Sequence, residues 1–223
     1  MIDGDFEALL DFIRANRALD LTGYKRTTLA RRFERRMQAV GATTYGEYLD
    51  RLEVDPEEFG HLFDTILINV TSFFRDEEAW ERLTSEVLPA MLDGKPAGAP
   101  VRVWSAGCAS GEEAYTLAMV LAEALGAGAF VERVKIYGTD LDERALAAAR
   151  QGTFDERQMG PVPEELRDRY FERAGASWVF RRDLRRSVIF GRHDLTVDAP
   201  ISRLDLLACR NTLMYFNAEL QSS

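Results

Sequence analysis

The chain has 223 residues, enough for one large domain or for a small and a medium one. Its 46% hydrophobic and 29% charged residues are those of an ordinary globular protein, and no run approaches the roughly 18 consecutive apolar residues of a membrane helix. A formal net charge of −9 argues against general nucleic-acid binding, the start MIDGDFEALLDF lacks the basic region of a secretory signal, and Cys108 and Cys209, without metal-ligand spacing, read as reduced thiols of a cytoplasmic protein.

Residues 1–94 carry helical periodicity throughout. Phe6, Leu9, Leu10 and Ile13 recur at helix spacing, and Leu29, Phe33, Met37 and Val40 mark a second amphipathic helix ended by Gly41. Tyr45–Leu52 and Glu57–Ile68 read as two more, the latter with Pro56 at its first turn. Asp76–Asp93 reads as one further helix, with Asp76, Glu77 and Glu78 suiting the positive end of its dipole. GKPAGAP, residues 94–100, then reads as a linker, which divides the chain into a helical domain 1–94 and a second domain 95–223.

After that linker the rhythm changes. Strand 101–105, helix 112–125, strand 134–139, helix 142–151, strand 187–190 and strand 204–208 alternate, the pattern of a parallel sheet with helices on its faces. Residues 152–186 interrupt the alternation with a helix over Pro163–Arg173 and an extended piece, Ser177–Arg181. The strand at 204–208 is followed only by NTLMYFNAELQSS, so either the polypeptide is expected to be a fragment, or a partner or a second copy is expected to cover that sheet edge.

Chemistry concentrates where the first strand ends. VRVWSAGCASGEE, Val101–Glu113, runs from a buried strand through a small-residue turn into a helix. Gly107, Ala109 and Gly111 leave room for a cofactor against backbone, and Ser110 is placed to cap the helix. Glu112 and Glu113 would repel a pyrophosphate and welcome a cation, which favours S-adenosylmethionine over a dinucleotide; the same two acids would also complement the helix dipole. Asp140, at the tip of the second strand, is placed for ribose hydroxyls, and Asp142 is better placed as a helix cap.

Three other segments have both a structural and a functional reading. In NVTSFFRD, residues 69–76, Phe73 and Phe74 read as core and Arg75 either as a surface ion pair or as a group meeting a carboxylate. Cys209-Arg210-Asn211 and Tyr215-Phe216 follow the fourth strand, where open sheets place catalytic groups or simply pack. The helix around Lys25, Arg26, Arg31, Arg32, Arg35 and Arg36 opposes them only with Glu34; Arg31, Arg32 and Arg35 lie opposite the apolar stripe, either as a solvated face or as a surface steering toward an acidic partner.

NVTSFFRD, RVWSAGCASGEEAYTLAM, YGTDLDERALAAARQGTF and LLACRNTLMYF, in that order, resemble the chemotaxis receptor glutamate methyltransferases of the CheR type, over nearly the whole chain. The resemblance implies an α/β fold: an all-helical N-terminal domain, then a Rossmann-like class I methyltransferase sheet that stops after its fourth strand, with a small β-subdomain inserted at about 152–186. It implies S-adenosylmethionine as methyl donor, with S-adenosylhomocysteine as product. Cofactor contacts would come from Asn69, Thr71, Arg75, Gly107, Ala109, Glu113, Asp140, Asp194, Leu195, Arg210 and Asn211, with Glu113 at the methionyl end, Asp140 on the ribose, and Asp194, where the family often has asparagine, beside the adenine with Leu195. Arg75 and Tyr215 would face the methyl group and the incoming carboxylate. The basic 25–36 helix would dock on the acidic helical bundle of a chemoreceptor, with no nucleic acid and no membrane insertion involved. The short stretch GASWVFRRDLRR implies the type that needs no receptor tether, and KRTTLARRFERRM and CRNTLMYF resemble versions fused to other signalling domains. A module that binds the cofactor without transferring methyl, and a methyltransferase of another substrate, are the alternative readings.

Overall fold

A computed structural model describes residues 4–17, 19–67 and 69–222. The chain forms two compact units, Met1–Ile68 with Asn211–Ser223, and Asn69–Arg210.

The first unit contains α1 (Gly4–Arg17), α2 (Arg26–Val40), α3 (Tyr45–Val54) and α4 (Pro56–Ile66). Its core is the expected stripe residues Phe6, Leu9, Leu10, Ile13, Leu29, Phe33 and Met37, joined by Tyr48, Leu52, Phe59 and Leu62. Each boundary has a local cause. Gly41 ends α2 at a φ of 77°, a left-handed conformation that glycine adopts without steric cost. Thr44 and Glu47 form a reciprocal capping box on α3, and Asp55 caps α4 with Pro56 in its first turn. Ile68, expected in this last helix, lies outside the described residues. The segment after 210 returns to this unit: Lys25 N–H donates to the Tyr215 carbonyl at 3.0 Å, Asn217 N–H to the Gly23 carbonyl at 2.8 Å, and Tyr24 meets Phe216 edge-on at 5.1 Å.

The second unit begins with the 69–76 loop and a helical stretch. The single helix expected over 76–93 is broken into α5 (Glu77–Arg82) and α6 (Leu88–Asp93) by a wider π turn at Leu83–Val87. Pro89 is the physical reason: it has no N–H to donate to the Ser85 carbonyl one turn back. The boundary expected at 94–100 is also corrected. Phe73, Trp80 and Leu88 share one apolar core with Val101, Val103, Leu117 and Leu121, so 69–93 packs with the sheet that follows it.

Strands β1 (Val101–Ala106) and β2 (Val134–Asp140) are separated by α7 (Glu112–Leu125) and α8 (Ala127–Arg133), and α9 (Glu143–Gln151) follows β2. The expected insertion is a three-stranded antiparallel sheet. Its strands are β3 (Thr153–Asp155), β4 (Phe171–Ala174) and β5 (Ser177–Phe180), in the order β3-β5-β4. Between them α10 (Glu156–Met159) and α11 (Glu164–Tyr170) intervene, and α12 (Arg182–Arg185) follows. The helix expected to reach Arg173 therefore stops at Tyr170, because Phe171 and Ala174 pair with Phe180 and Ser177. The small sheet is tied to the main core by aromatics: Phe73 meets Phe154 at 4.8 Å and Phe171 at 5.7 Å, and Tyr115 meets Phe180 at 4.6 Å.

The main sheet ends with β6 (Val188–Arg192) and β7 (Leu206–Ala208). All four of its strands run parallel, in the order β6-β2-β1-β7. The α/β architecture is thus an all-helical unit and a wound parallel sheet. Among the described residues, no single helix is long and apolar enough to cross a membrane.

Candidate cofactor site

From β1 the chain winds to β2 and β6 on one side, then crosses to place β7 on the other. In open α/β sheets, ligands bind beyond the carboxyl ends of strands at such a reversal. The residues there come from five segments of the second unit.

The first loop follows β1. Gly107, Ala109 and Gly111 have φ of 76°, 47° and 96°. The turn is pinned by the Gly107 and Cys108 amides, which donate to the Thr139 carbonyl at 2.8 and 2.9 Å. A Cβ at Gly111 would stand 2.9 Å from the Cβ of Ala149, so helix α9 closes on this position only because no side chain is there. Contrary to the expectation from sequence, Ser110 does not cap α7. Gly111 occupies the cap position, and the Ser110 hydroxyl donates instead to Glu112 Oε2 at 2.7 Å.

The two glutamates separate in role. Glu112 is 2% exposed and also accepts from Gln158 Nε2, which ties it to the small sheet. Glu113 sits toward β1. The Ser105 hydroxyl, itself fully buried, donates to its Oε1 at 2.6 Å, and Arg210 Nη1 lies 3.8 Å from its Oε2. Burial pushes the Glu113 carboxyl above the ordinary range, against the Ser105 hydrogen bond and the charges of Arg210 and Arg75.

Asp140 ends β2. Its Oδ2 accepts the Ala109 amide at 2.8 Å and its Oδ1 the Asp142 amide at 2.9 Å. Burial raises this carboxyl too, against those backbone hydrogen bonds. Asp142 caps α9 as expected, taking the Arg144 and Ala145 amides on Oδ1. Its Oδ2 also accepts from Asn69 Nδ2 at 2.5 Å.

The 69–76 loop carries local strain. Phe74 and Asp76 have φ of 49° and 56°, unfavourable for side chains with a Cβ, and they flank Arg75. Buried Phe73 anchors one side. The Arg75 carbonyl accepts from Trp80 Nε1 at 2.8 Å and from Arg210 Nη2. Arg210, just past β7, also bonds Asp76 Oδ2 at 2.7 Å and lies over the Trp80 ring at 5.2 Å. Arg75 itself, half-buried, donates to the Val70 carbonyl at 2.8 Å. Thr71 is half-buried in the same loop. Beyond β6, Asp194 takes the Thr196 amide and hydroxyl on Oδ1 at 2.8 and 2.7 Å, which fixes the turn that presents half-buried Leu195.

One hydrogen-bonded set therefore joins Asn69, Asp142, Asp140 and Ala109; Arg210 is hydrogen-bonded to the Arg75 carbonyl and ion-paired with Glu113. Asn211 and Tyr215 belong to the first unit, where Arg32 lies over the Tyr215 ring at 5.8 Å. The basic helix also needs correction. Arg36 forms a two-pronged ion pair with buried Glu58, both bonds at 2.6 Å, and Arg32 is half-buried and donates to the Thr65 carbonyl. Arg26 pairs with Glu7, exposed Lys25 donates to the Met214 carbonyl, and Arg31 and Arg35 are exposed.

Sequence reasoning missed Ser105 and Trp80 and saw Asp142 only as a cap. A hydroxyl inside the apolar run VRVWSA was the available signal for Ser105; nothing local marked Trp80.

Family models agree with this division. One described as "CheR methyltransferase, all-alpha domain" matches residues 4–67, and one described as "CheR methyltransferase, SAM binding domain" matches residues 69–223. An uncharacterized 104.1 kDa protein of Rhodobacter capsulatus is 36% identical over 213 residues, which is 96% of this chain and 22% of that protein. The chemotaxis protein methyltransferase of Listeria monocytogenes is 34% identical over 98% of this chain and 81% of its own length. Chemotaxis protein methyltransferase 1 of Pseudomonas aeruginosa is 31% identical over 98% of this chain and 82% of its own length. The chain belongs to the CheR methyltransferase family, with the S-adenosylmethionine-binding domain of that family carrying the site built above.

Proposed function

We propose that this chain transfers a methyl group from S-adenosylmethionine to glutamate side chains of a chemoreceptor, as a protein-glutamate O-methyltransferase. The observation that carries the reading is Glu113, its side chain 12% exposed and its carboxyl raised, set against Ser105 and two arginines where the sheet's winding reverses.

The residues fit the cofactor. A desolvated carboxylate is stabilised by a cation, and Glu113 would take the ammonium of the methionyl end. Asp140 has spare acceptor capacity beside its two backbone bonds for ribose hydroxyls. Gly107 and Ala109 would let the ligand approach backbone, Asp194 and Leu195 would flank the adenine, and Asn69, Thr71, Arg210 and Asn211 would complete the contacts. When bound, S-adenosylmethionine supplies an electrophilic methyl on a positively charged sulfur.

The remaining chemistry falls to the protein. A glutamate substrate, with an ordinary pKa of about 4.3, is ionised at neutral pH and needs no general base. Arg75 holds the incoming carboxylate in line. Alignment of this kind supplies up to roughly 7–11 kcal/mol. Exposed Arg31 and Arg35 suit an acidic helical bundle as partner. The turn between Ala174 and Ser177 is short, which supports a type that needs no receptor tether.

The test is transfer of radiolabelled methyl to purified receptor cytoplasmic fragments, with and without their terminal tether. Base-labile label on glutamates of both fragments, to equal extent, is the expected result. Absence of label from both fragments would overturn the substrate, and label only on the tethered fragment would overturn the tether-independence.

A further inference from the structure

Asp142 does two things at once. Its Oδ1 caps α9, accepting the Arg144 amide at 2.8 Å and the Ala145 amide at 3.3 Å. Its Oδ2 accepts from Asn69 Nδ2 at 2.5 Å, across 73 residues of sequence. The side chain is 7% exposed, whereas Asn69 is exposed. A cap alone would need only one of these oxygens. The second leaves the helix and grips the loop that carries Arg75. Asp142 is also tied to the nucleoside side of the site, since its amide donates to Asp140, whose other oxygen takes the Ala109 amide.

This bond fixes which end of the Asn69 amide is available. A carboxylate oxygen only accepts, so the atom held against it is the NH₂ group, and the carbonyl Oδ1 is left as the outward group. Asn69 by itself offers a donor or an acceptor with equal ease, because its amide can flip. Gripped by Asp142 it offers an acceptor.

We propose that Asp142 is a positioning residue for the cofactor: it orients Asn69 so that its Oδ1 accepts a hydrogen bond from an N–H or O–H of the adenosyl ligand. This rests on the S-adenosylmethionine-binding reading above. It assigns the polarity of the Asn69 contact and a second role for the residue that caps α9.

Asp142→Asn tests the polarity directly. An asparagine at 142 keeps a carbonyl oxygen for the α9 cap, but it presents NH₂ to Asn69, which must flip and turn its own NH₂ outward. A donor then faces a donor of the ligand. Titration of S-adenosylhomocysteine by calorimetry is expected to show binding to the wild type and about tenfold or greater weakening in Asp142→Asn, since donor then faces donor and both are left unmatched. Asn69→Ala, at an exposed position, is expected to weaken binding similarly. The exchange Asn69→Asp with Asp142→Asn reverses the pair, with the NH₂ of 142 donating to one carboxylate oxygen of 69 and the other oxygen left as an outward acceptor, and is expected to recover most of the affinity. A role limited to capping α9 predicts no such recovery.

Wild-type affinity in either single variant would overturn the proposal, as would an exchange variant that binds no better than Asp142→Asn. Absence of S-adenosylhomocysteine binding to the wild type would instead overturn the cofactor reading on which the proposal stands.

Discussion

Two glutamates, one in each unit, are withdrawn from solvent and treated in opposite ways. In the helical unit, Glu58 is met by both prongs of Arg36 at 2.6 Å and by the Tyr48 hydroxyl at 2.8 Å. Burial works against its charge, but the Arg36 and Tyr48 hydrogen bonds outweigh it and hold the carboxyl below the ordinary range. In the sheet unit, Glu113 has one hydroxyl at hydrogen-bond distance and an arginine at 3.8 Å, and burial wins. The first acid has all the partners it needs from its own chain. The second is short of positive charge, and a ligand can supply it. The difference separates an acid that holds the fold from one that awaits a cofactor.

The comparison breaks most visibly in stability. Glu58→Ala strands Arg36 and Tyr48 and is expected to lower the unfolding free energy by about 3–5 kcal/mol. Glu113→Gln removes a desolvated charge and is expected to leave stability unchanged or raised. Urea denaturation of the two variants side by side checks this, and equal losses would erase the contrast. The pH dependence has opposite signs. With its pKa depressed in the fold, Glu58 contributes stability present above the ordinary carboxylate pKa and lost as pH falls through the depressed one. With its pKa raised, Glu113 opposes folding increasingly as pH rises from the ordinary range through its raised value.

A smaller free-energy change is expected within the site. Arg75→Ala should slow methyl transfer about a hundredfold, the usual cost of one positioned group at a reacting centre, while Glu58 variants that remain folded should not. Single-turnover transfer of labelled methyl reads the difference. The smallest effect belongs to the helical surface. Arg31→Glu with Arg35→Glu should change stability by no more than about 0.5 kcal/mol, weaken binding to a receptor fragment about tenfold, and leave S-adenosylhomocysteine affinity unchanged. The same reversal at Arg36 should instead cost stability, because that arginine belongs to Glu58.

Long periodic segments were legible in the sequence, and so was the turn after β1. VRVWSA and VKIYGTD are apolar enough to be strands buried in a parallel sheet, and the Gly107, Ala109 and Gly111 spacing marks where backbone must bend back. The short strands β3 and β4 were not legible. Three or four residues hold no period, and their pairing is decided by contacts far along the chain. The unit boundary was misplaced because GKPAGAP has linker composition, whereas the fate of 69–93 depends on Phe73, Trp80 and Leu88 reaching the sheet core. Among the basic residues, sequence showed charge but not direction: Arg36 turns inward because buried Glu58 lies on the neighbouring helix. Glu113 and Asp140 were visible as acids at strand and helix ends; that Ser105 would touch one and Ala109 the other needed coordinates.

The most direct measurement is calorimetric titration of S-adenosylhomocysteine into the wild type and Glu113→Gln at about pH 7 and about pH 5, in buffers of different ionisation enthalpy. Because ligand ammonium favours the charged form of a carboxyl whose pKa is raised, the wild type is expected to bind more weakly at the lower pH and to release a proton on binding, and Glu113→Gln to bind weakly at both with that release absent. Equal affinity in the two proteins, independent of pH, would contradict the assignment of Glu113 as the acid that receives the cofactor.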